Sequence, residues 1–329
     1  MPFDRLRRRQ LIALLGGAAA TWPFAARAQL RKVYRIGVLE TTSVALNAAN
    51  IAAFHQGMRE RGYREGRDYE IEYRFASGDT GRYPALASEL VGRHVDLILT
   101  RGTPSVLAAK NATTTIPIVM AAIGDAFEAV SSLAHPGGNV TGLSAFVPEL
   151  EAKRLELLTE TIPGLTRVAH LANMSNPMSA SERAEIARAA PIVKVLPQFI
   201  DVRTANDFAP AFEAASRERA DAVLVGIDGL TQANRHLIAE LAAKHRIPTA
   251  YPAREFAEAG GLLSYGVSYP DLYRRAANYV DRIFKGESPG NLPIEQPVRF
   301  ELVINLKTAR ELRFNIPPTM LTRADEVIE

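Results

Sequence analysis

The chain contains no cysteine among its 329 residues. That absence excludes disulfides, thiol catalysis, thiolate metal sites and a lipid-modified cysteine after a signal segment. Imidazole metal sites are equally unsupported. None of the six histidines stands in a His-Glu-x-x-His arrangement, and His55, His236 and His245 fall on predicted helices, where a packed or solvated imidazole is the ordinary fate. Neither a phosphate loop ending in Gly-Lys-Ser/Thr nor a Gly-x-Gly-x-x-Gly turn follows the first strand. The stretch Gly142-Leu143-Ser144-Ala145 begins like a nucleophile elbow, but Phe146 stands where the second glycine is required. These gaps remove the common hydrolase, nucleotide and metal chemistries, so neither catalysis nor a cofactor is expected. Repeats and low-complexity stretches are missing too. With 47% hydrophobic and 23% charged residues, the composition is that of an ordinary soluble chain long enough for two domains.

The first 28 residues differ in kind from the rest. Arg5, Arg7, Arg8 and Arg9 precede the apolar segment Leu11 to Ala20, and Ala26-Arg27-Ala28 then places small residues where a signal peptidase reads. An apolar run of about ten residues is too short to cross a bilayer. Residues 1–28 therefore read as a cleavable export signal, leaving Gln29 as the new N-terminus and a periplasmic protein without a lipid anchor. The pair Arg8-Arg9 followed by Gln10, Leu11 and Ile12 is similar to a twin-arginine signal, although Arg7 occupies the place of the preferred Ser or Thr. The general secretory route stays open beside it. Removing the leader takes away five Arg and one Asp, which turns the formal charge of +3 into −1. A near-neutral mature chain gives no electrostatic reason to bind nucleic acid or an acidic membrane surface.

From Lys32 onward, short apolar runs alternate with segments of helical periodicity. The run Val33 to Leu39, the alternating Tyr69 to Phe75, Asp96 to Thr100 and Ile116 to Met120 read as strands separated by helices. The order then repeats with strands at Arg167 to Ala172, Val193 to Ile200 and Ala222 to Ile227, and a helix from about Gln232 to His245. Such alternation predicts an α/β fold of two doubly wound parallel-sheet lobes with right-handed crossovers. The terminal segment, with a strand at Leu262 to Tyr265, a helix at Leu272 to Phe284 and a closing strand at Arg299 to Asn305, is too long for one more unit. It is read as crossing to the first lobe and back. The expected division is 30–145 with 266–288 in an N-terminal lobe, and 146–265 with 289–329 in a C-terminal lobe, joined by a multi-strand hinge.

Polar residues recur directly after strands, where a cleft between opposed sheets would meet them. Thr42 and Ser43 follow the first strand, Gly102 and Thr103 the third, Asp125 the fourth, Asn173 and Asn176 the first of the second lobe, and Asp228 its third. Each is also a residue type that caps helices, so both roles stand. Gly102-Thr103-Pro104 would offer a helix N-terminus to a carboxylate, and Asp228 a carboxylate to an ammonium. Tyr251, Tyr265 and Tyr269 lie near the expected hinge, where they would pack on an aliphatic or aromatic side chain or serve the core.

Several motifs, in order, resemble one family. They are Gly124-Asp125, His135-Pro136-Gly137-Gly138-Asn139-Val140-Thr141-Gly142-Leu143-Ser144, Gly260-Gly261-Leu262-Leu263-Ser264-Tyr265-Gly266, Leu292-Pro293-Ile294-Glu295-Gln296-Pro297 and the ending Ala324-Asp325-Glu326-Val327-Ile328-Glu329. From about Tyr34 onward the chain is similar to ABC-transporter substrate-binding proteins of the tryptophan-binding type. Where members usually carry Gly-Asp-Pro, this chain has Ala126. The resemblance implies a type I periplasmic-binding fold that closes around a small ligand. It further implies an amino-acid-like or carboxylate ligand, aromatic in characterised relatives, and delivery by a monomer to an inner-membrane ABC permease. A ligand sensor of the same fold and an exported enzyme are the competing readings. A neighbouring permease gene would favour transport, a kinase gene sensing.

Overall fold

A computed structural model describes residues 32–145, 147–297 and 299–329. The leader and its cleavage site lie outside the described residues. Five strands form the first sheet: β1 (Tyr34–Glu40), β2 (Tyr69–Phe75), β3 (Leu97–Arg101), β4 (Ile118–Ile123) and β5 (Val140–Ser144). They are all parallel, in the order β2-β1-β3-β4-β5. The continuous apolar runs of β3 and β4 follow from burial on both faces. Ile36, Val38, Leu97, Leu99 and Val119 point to one side and pack with Phe54 and Met58 of the helix Ala48–Glu60. Their alternate neighbours Leu39, Ile98, Ile118 and Met120 point to the other and pack with the helices Tyr83–Gly92 and Thr103–Ala112.

The second sheet contains β6 (Arg167–Ala172), β7 (Leu196–Asp201), β8 (Ala222–Val225), β9 (Thr249–Tyr251), β10 (Leu263–Gly266), β11 (Glu301–Asn305) and β12 (Glu326–Ile328). Its order is β12-β11-β10-β9-β8-β6-β7, parallel apart from β11 and β12, which are parallel to each other and run against β10 and the strands beyond it. That reversal departs from the expected all-parallel sheet and follows from connectivity. The chain leaves the second sheet at Gly266, passes through the first, and re-enters at Glu301 beside the end it left, so β11 must run back along β10.

Between those points the helix Tyr269–Phe284 packs on the helix Ala48–Glu60 of the first lobe. Gly57 makes the close approach possible, because a Cβ there would stand 2.3 Å from the Arg274 carbonyl oxygen. The following segment stays with the first sheet as well. Thr141 Oγ1 donates to the Leu292 carbonyl at 2.7 Å, Ser144 N to the Glu295 carbonyl at 2.9 Å, and Leu292 and Ile294 are buried. The sequence boundary at 289 is therefore too early, and the return to the second sheet comes after Glu295. Three further elements differ from expectation. β5 and β12 were not anticipated, and the expected helix from Gln232 divides at Asn234 into Gly229–Ala233 and Arg235–His245. The Asn234 side chain donates to the Leu230 carbonyl at 2.8 Å, the local competition that unsettles asparagine inside helices.

Candidate functional site

The carboxyl ends of the two sheets face each other across a narrow cleft, the place where α/β sheets receive their ligands. From the first lobe come Thr41 after β1, Arg101 at the end of β3, and Gly102, Thr103 and Pro104 opening the helix Thr103–Ala112. Tyr83 and Tyr269 complete that wall. The second lobe contributes Asn176 and Met178, then Ile227, Asp228, Gly229 and Gln232 from the turn after β8.

Arg101 is the electrostatic centre of the first wall. It is buried, its Nη2 donates to Thr41 Oγ1 at 3.1 Å, and its Nη1 has no partner. The guanidinium lies 4.7 Å from the centre of the Tyr269 ring and 6.0 Å from that of Tyr273. Burial works against this charge, but Tyr273 and Glu40 outweigh it, so the group stays a cation. Glu40 is itself fully buried. One of its oxygens accepts from the Tyr273 hydroxyl while Oε2 has no partner. Burial raises its carboxyl above the usual carboxylate range, and Arg101 opposes that rise without cancelling it.

The turn after β3 is tightly knit. Gly102 takes φ +88°, a conformation that favours glycine, and its N–H donates to the Ala122 carbonyl at 2.8 Å. This corrects one expectation, since that N–H belongs to the sheet and is not offered to a ligand. Ser105 Oγ accepts from Thr100 Oγ1 at 2.9 Å, closing the turn from below. Thr103 Oγ1 is buried in the wall without a partner.

Asp228 faces this cation from the second lobe, and it is both a cap and part of the cleft. Oδ1 accepts from Leu230 N at 2.9 Å and from Asn173 Nδ2 at 3.0 Å, while Oδ2 accepts from Asn176 Nδ2 at 3.0 Å. Burial raises its carboxyl, and the bonds from Asn173, Leu230 and Asn176 oppose that rise. The two lobes touch around it. A Cβ on Gly229 would stand 2.9 Å from the Tyr83 hydroxyl, one on Gly124 2.9 Å from Met178 Cγ, and one on Gly78 2.8 Å from Ala233 Cβ. Arg235 Nη2 also reaches the Leu46 carbonyl at 3.5 Å. These contacts describe a closed cleft.

Of the residues singled out from sequence, Gly102, Thr103, Asn176 and Asp228 line the cleft together, and Tyr269 joins them. Asn173 stands behind Asp228 as its hydrogen-bond donor. The others lie elsewhere. Thr42 is buried outside the lining, Ser43 Oγ accepts from Leu46 N at 3.4 Å, and Asp125 caps its own turn through Phe127 N at 2.9 Å. Tyr251 is fully buried against Phe256, and Tyr265 lies beside Phe300. Sequence reasoning missed Thr41, Tyr83, Met178, Gln232 and, above all, Arg101. In the sequence Arg101 follows Leu97-Ile98-Leu99-Thr100 as a charge at a strand end, which does not by itself separate a buried residue from a solvated one.

Residues 35–328 match the family described as ABC transporter substrate binding protein. The chain belongs to that family. A tyrosine-binding protein of Clostridioides difficile (strain R20291) is 28% identical over 261 residues, 79% of this chain and 75% of that protein. An ABC domain from Streptococcus pneumonia, solved in complex with L-Trp, is 26% identical with a TM-score of 0.83, covering 90% of this chain and all of the other. A conserved domain protein from Vibrio cholerae has a TM-score of 0.84 at 26% identity, with the same coverage. As an ABC substrate-binding protein, this chain is assigned to a family of binding components and not of catalysts. Among the described residues no cluster of His, Asp and Glu could hold a metal ion, and no helix is long and apolar enough to cross a membrane.

Proposed function

We propose that this protein is the periplasmic receptor of an ABC uptake system and that its ligand is an aromatic amino acid held as a zwitterion. The observation that carries the reading is one cleft with a buried cation and a buried anion on opposite walls. Arg101 has a free Nη1 and Asp228 a half-occupied Oδ2. A zwitterion loses water on both charges when it enters such a site, and only a pair of opposite partners repays that loss. Arg101 and Thr103 take the carboxylate, and Asp228 takes the ammonium. Met178, Ile123, Ile227 and Pro104 supply apolar surface for the side chain, and the tyrosine-binding and L-Trp-bound relatives support an aromatic one. The leader at 1–28 exports the chain, Gln29 becomes its first residue, and the monomer passes its ligand to an inner-membrane permease.

Calorimetry of the mature protein with L-tyrosine, L-tryptophan and control amino acids tests this reading. Asp228→Asn keeps the shape but removes the charge, and should cost roughly 2–5 kcal/mol, about 30-fold or more in affinity. If folded Asp228→Asn binds as tightly as the parent, Asp228 is a helix cap alone and the ammonium sits elsewhere.

A further inference from the structure

Behind the second-lobe wall of the cleft lies a buried acidic cluster with no part in the fold's hydrogen-bond ladders. Glu182, on the helix Met178–Ala189, is fully buried, and its Oε1 accepts from Ile227 N at 3.4 Å, directly beneath the turn that presents Asp228. Its Oε2 has no partner. That oxygen sits in the space left by Gly226, where a Cβ would be 2.7 Å from it and 3.2 Å from His170 Nε2.

The charges around Glu182 do not balance. On the helix Val147–Thr161, Arg154 is the cation that acts on it, but its guanidinium is committed to Glu151 and, through Nε at 2.8 Å, to the Tyr265 carbonyl. Glu151 on the same helix and Asp228 after β8 are further anions, and Tyr269 faces the cluster from the first lobe. His170 on β6 gives no compensating charge, because burial, with Arg183 and Arg154, pushes its imidazole down to about 3. Two buried carboxylates thus share one guanidinium. Two like charges in such a place are not both retained, and the one without an ion pair takes up a proton. Burial first, then Glu151, raises the Glu182 carboxyl well above the usual carboxylate range.

We infer that Glu182 is a proton store coupled to the cleft, holding a proton while Asp228 is unliganded and releasing it when a ligand ammonium docks there. The inference rests on the amino-acid reading of the site given above. In the release step the O–H bond of the Glu182 carboxyl breaks and its electron pair stays on Oε2. The proton passes to solvent, and the new negative charge stands behind Asp228 against the incoming positive one. Linkage is reciprocal. An ammonium that lowers the Glu182 pKa must bind more tightly as Glu182 ionises, about tenfold for each unit of that lowering. Affinity therefore rises with pH while Glu182 is still protonated in the unliganded protein, and levels off once it has ionised there.

Infrared spectroscopy on the ligand-free protein at neutral pH tests the store directly. The carbonyl stretch of a protonated carboxylic acid is expected in the wild type and is expected to be missing from Glu182→Gln. If the wild type shows no such band, the inference fails, whatever the cleft binds. The release is read by titrating L-tryptophan and L-tyrosine by calorimetry in buffers of different ionisation heat. Wild type should release protons on binding, and the infrared band should fade as ligand saturates. Glu182→Gln should bind at neutral pH with reduced proton release and a flatter pH profile. Asp228 also has a raised carboxyl, so proton release that is unchanged in Glu182→Gln would assign the proton to Asp228 and overturn the inference. Should the variant fail to fold, Asp228→Asn carries the test: a band that persists in the unliganded Asp228→Asn protein is expected, and one that vanishes with Asp228 would overturn the inference. A band that stands in a protein binding no amino acid would sink the amino-acid reading and the release step, while leaving the stored proton in place.

Discussion

The guanidinium of Arg101 lies 4.7 Å over the ring of Tyr269, which joins the end of β3 to the first turn of the helix that follows the second interlobe crossing. The same ring lines the cleft. The charge proposed to receive the ligand and an element leaving the hinge are thus in direct contact. Tyr269→Leu keeps the volume apolar but removes a desolvated cation–π contact, and should weaken amino-acid binding by about 1–2 kcal/mol in calorimetry. Arg101→Met should cost more, roughly 2–5 kcal/mol, since the ligand carboxylate then meets no cation and Glu40 is left without one. Thr103→Val should cost about 1–3 kcal/mol, because it removes one hydroxyl and leaves Arg101 in place. An Arg101→Met protein that binds like wild type would move the carboxylate site away from β3.

Closure itself can be blocked without touching either charge. A Cβ on Gly229 would meet the Tyr83 hydroxyl at 2.9 Å, a contact between lobes. Gly229→Ala should therefore fold normally, bind less tightly, and remain extended in solution scattering when ligand is added. Removing the hydroxyl in Gly229→Ala/Tyr83→Phe should restore part of the affinity. Equal affinity in the single and double variants would show that this contact does not limit closure.

The only tryptophan in the sequence is Trp22, within the leader. A mature chain beginning at Gln29 has none, so with excitation on the red edge, where its ten tyrosines do not absorb, the emission of added L-tryptophan carries no tryptophan background from the protein. Transfer of the indole from water into the cleft should shift its emission to shorter wavelength, and unlabelled L-tyrosine should reverse the shift by competition. An unshifted emission at saturating protein would count against an aromatic ligand.

His170 sets an acid limit on stability. Its imidazole is held neutral down to about 3, first by burial and then by Arg183 and Arg154, whereas in an unfolded chain it titrates near 6.5. The folded pKa lies below the unfolded one, so the unfolded state binds the extra proton first. The stabilisation is complete above about pH 6.5 and drains away as pH falls toward 3, on the order of 4 kcal/mol over that window. The raised carboxyl of Glu182 acts with the opposite sign, favouring the fold at low pH. Chemical denaturation of His170→Phe across the acid range should therefore show a shallower loss than wild type. Parallel curves for the two proteins would mean that His170 is charged in the native state.

Much of the fold could be read from period alone, because β4 and the first three residues of β3 are apolar runs and the helices of that lobe keep one apolar face. β5 escaped notice since Val140–Ser144 reads as the tail of a glycine-rich turn. Its Gly142 is there for packing, as a Cβ would come within 2.2 Å of the Met120 carbonyl oxygen. The cleft was partly legible. Gly102, Thr103 and Asp228 stand at carboxyl ends of strands, which α/β topology sends to the ligand. Arg101 was not, because a charge at the end of a strand reads as solvated until the opposite lobe is seen to cover it. Nor does helical spacing tell which tyrosine faces the cleft. Tyr269 does, while Tyr251, an equally good candidate by position, is spent in the core against Phe256.

Gly57 has a consequence for the order of events. By letting the helix Tyr269–Phe284 seat against its neighbour with backbone in contact with backbone, it makes Tyr269 travel with Arg101 through any hinge motion. The receiving half of the cleft is then assembled before the lobes meet. On the proposed reading, an incoming ligand would meet Arg101 and Tyr269 on the first lobe first, and the second lobe, with Asp228, would arrive as the door that shuts behind it.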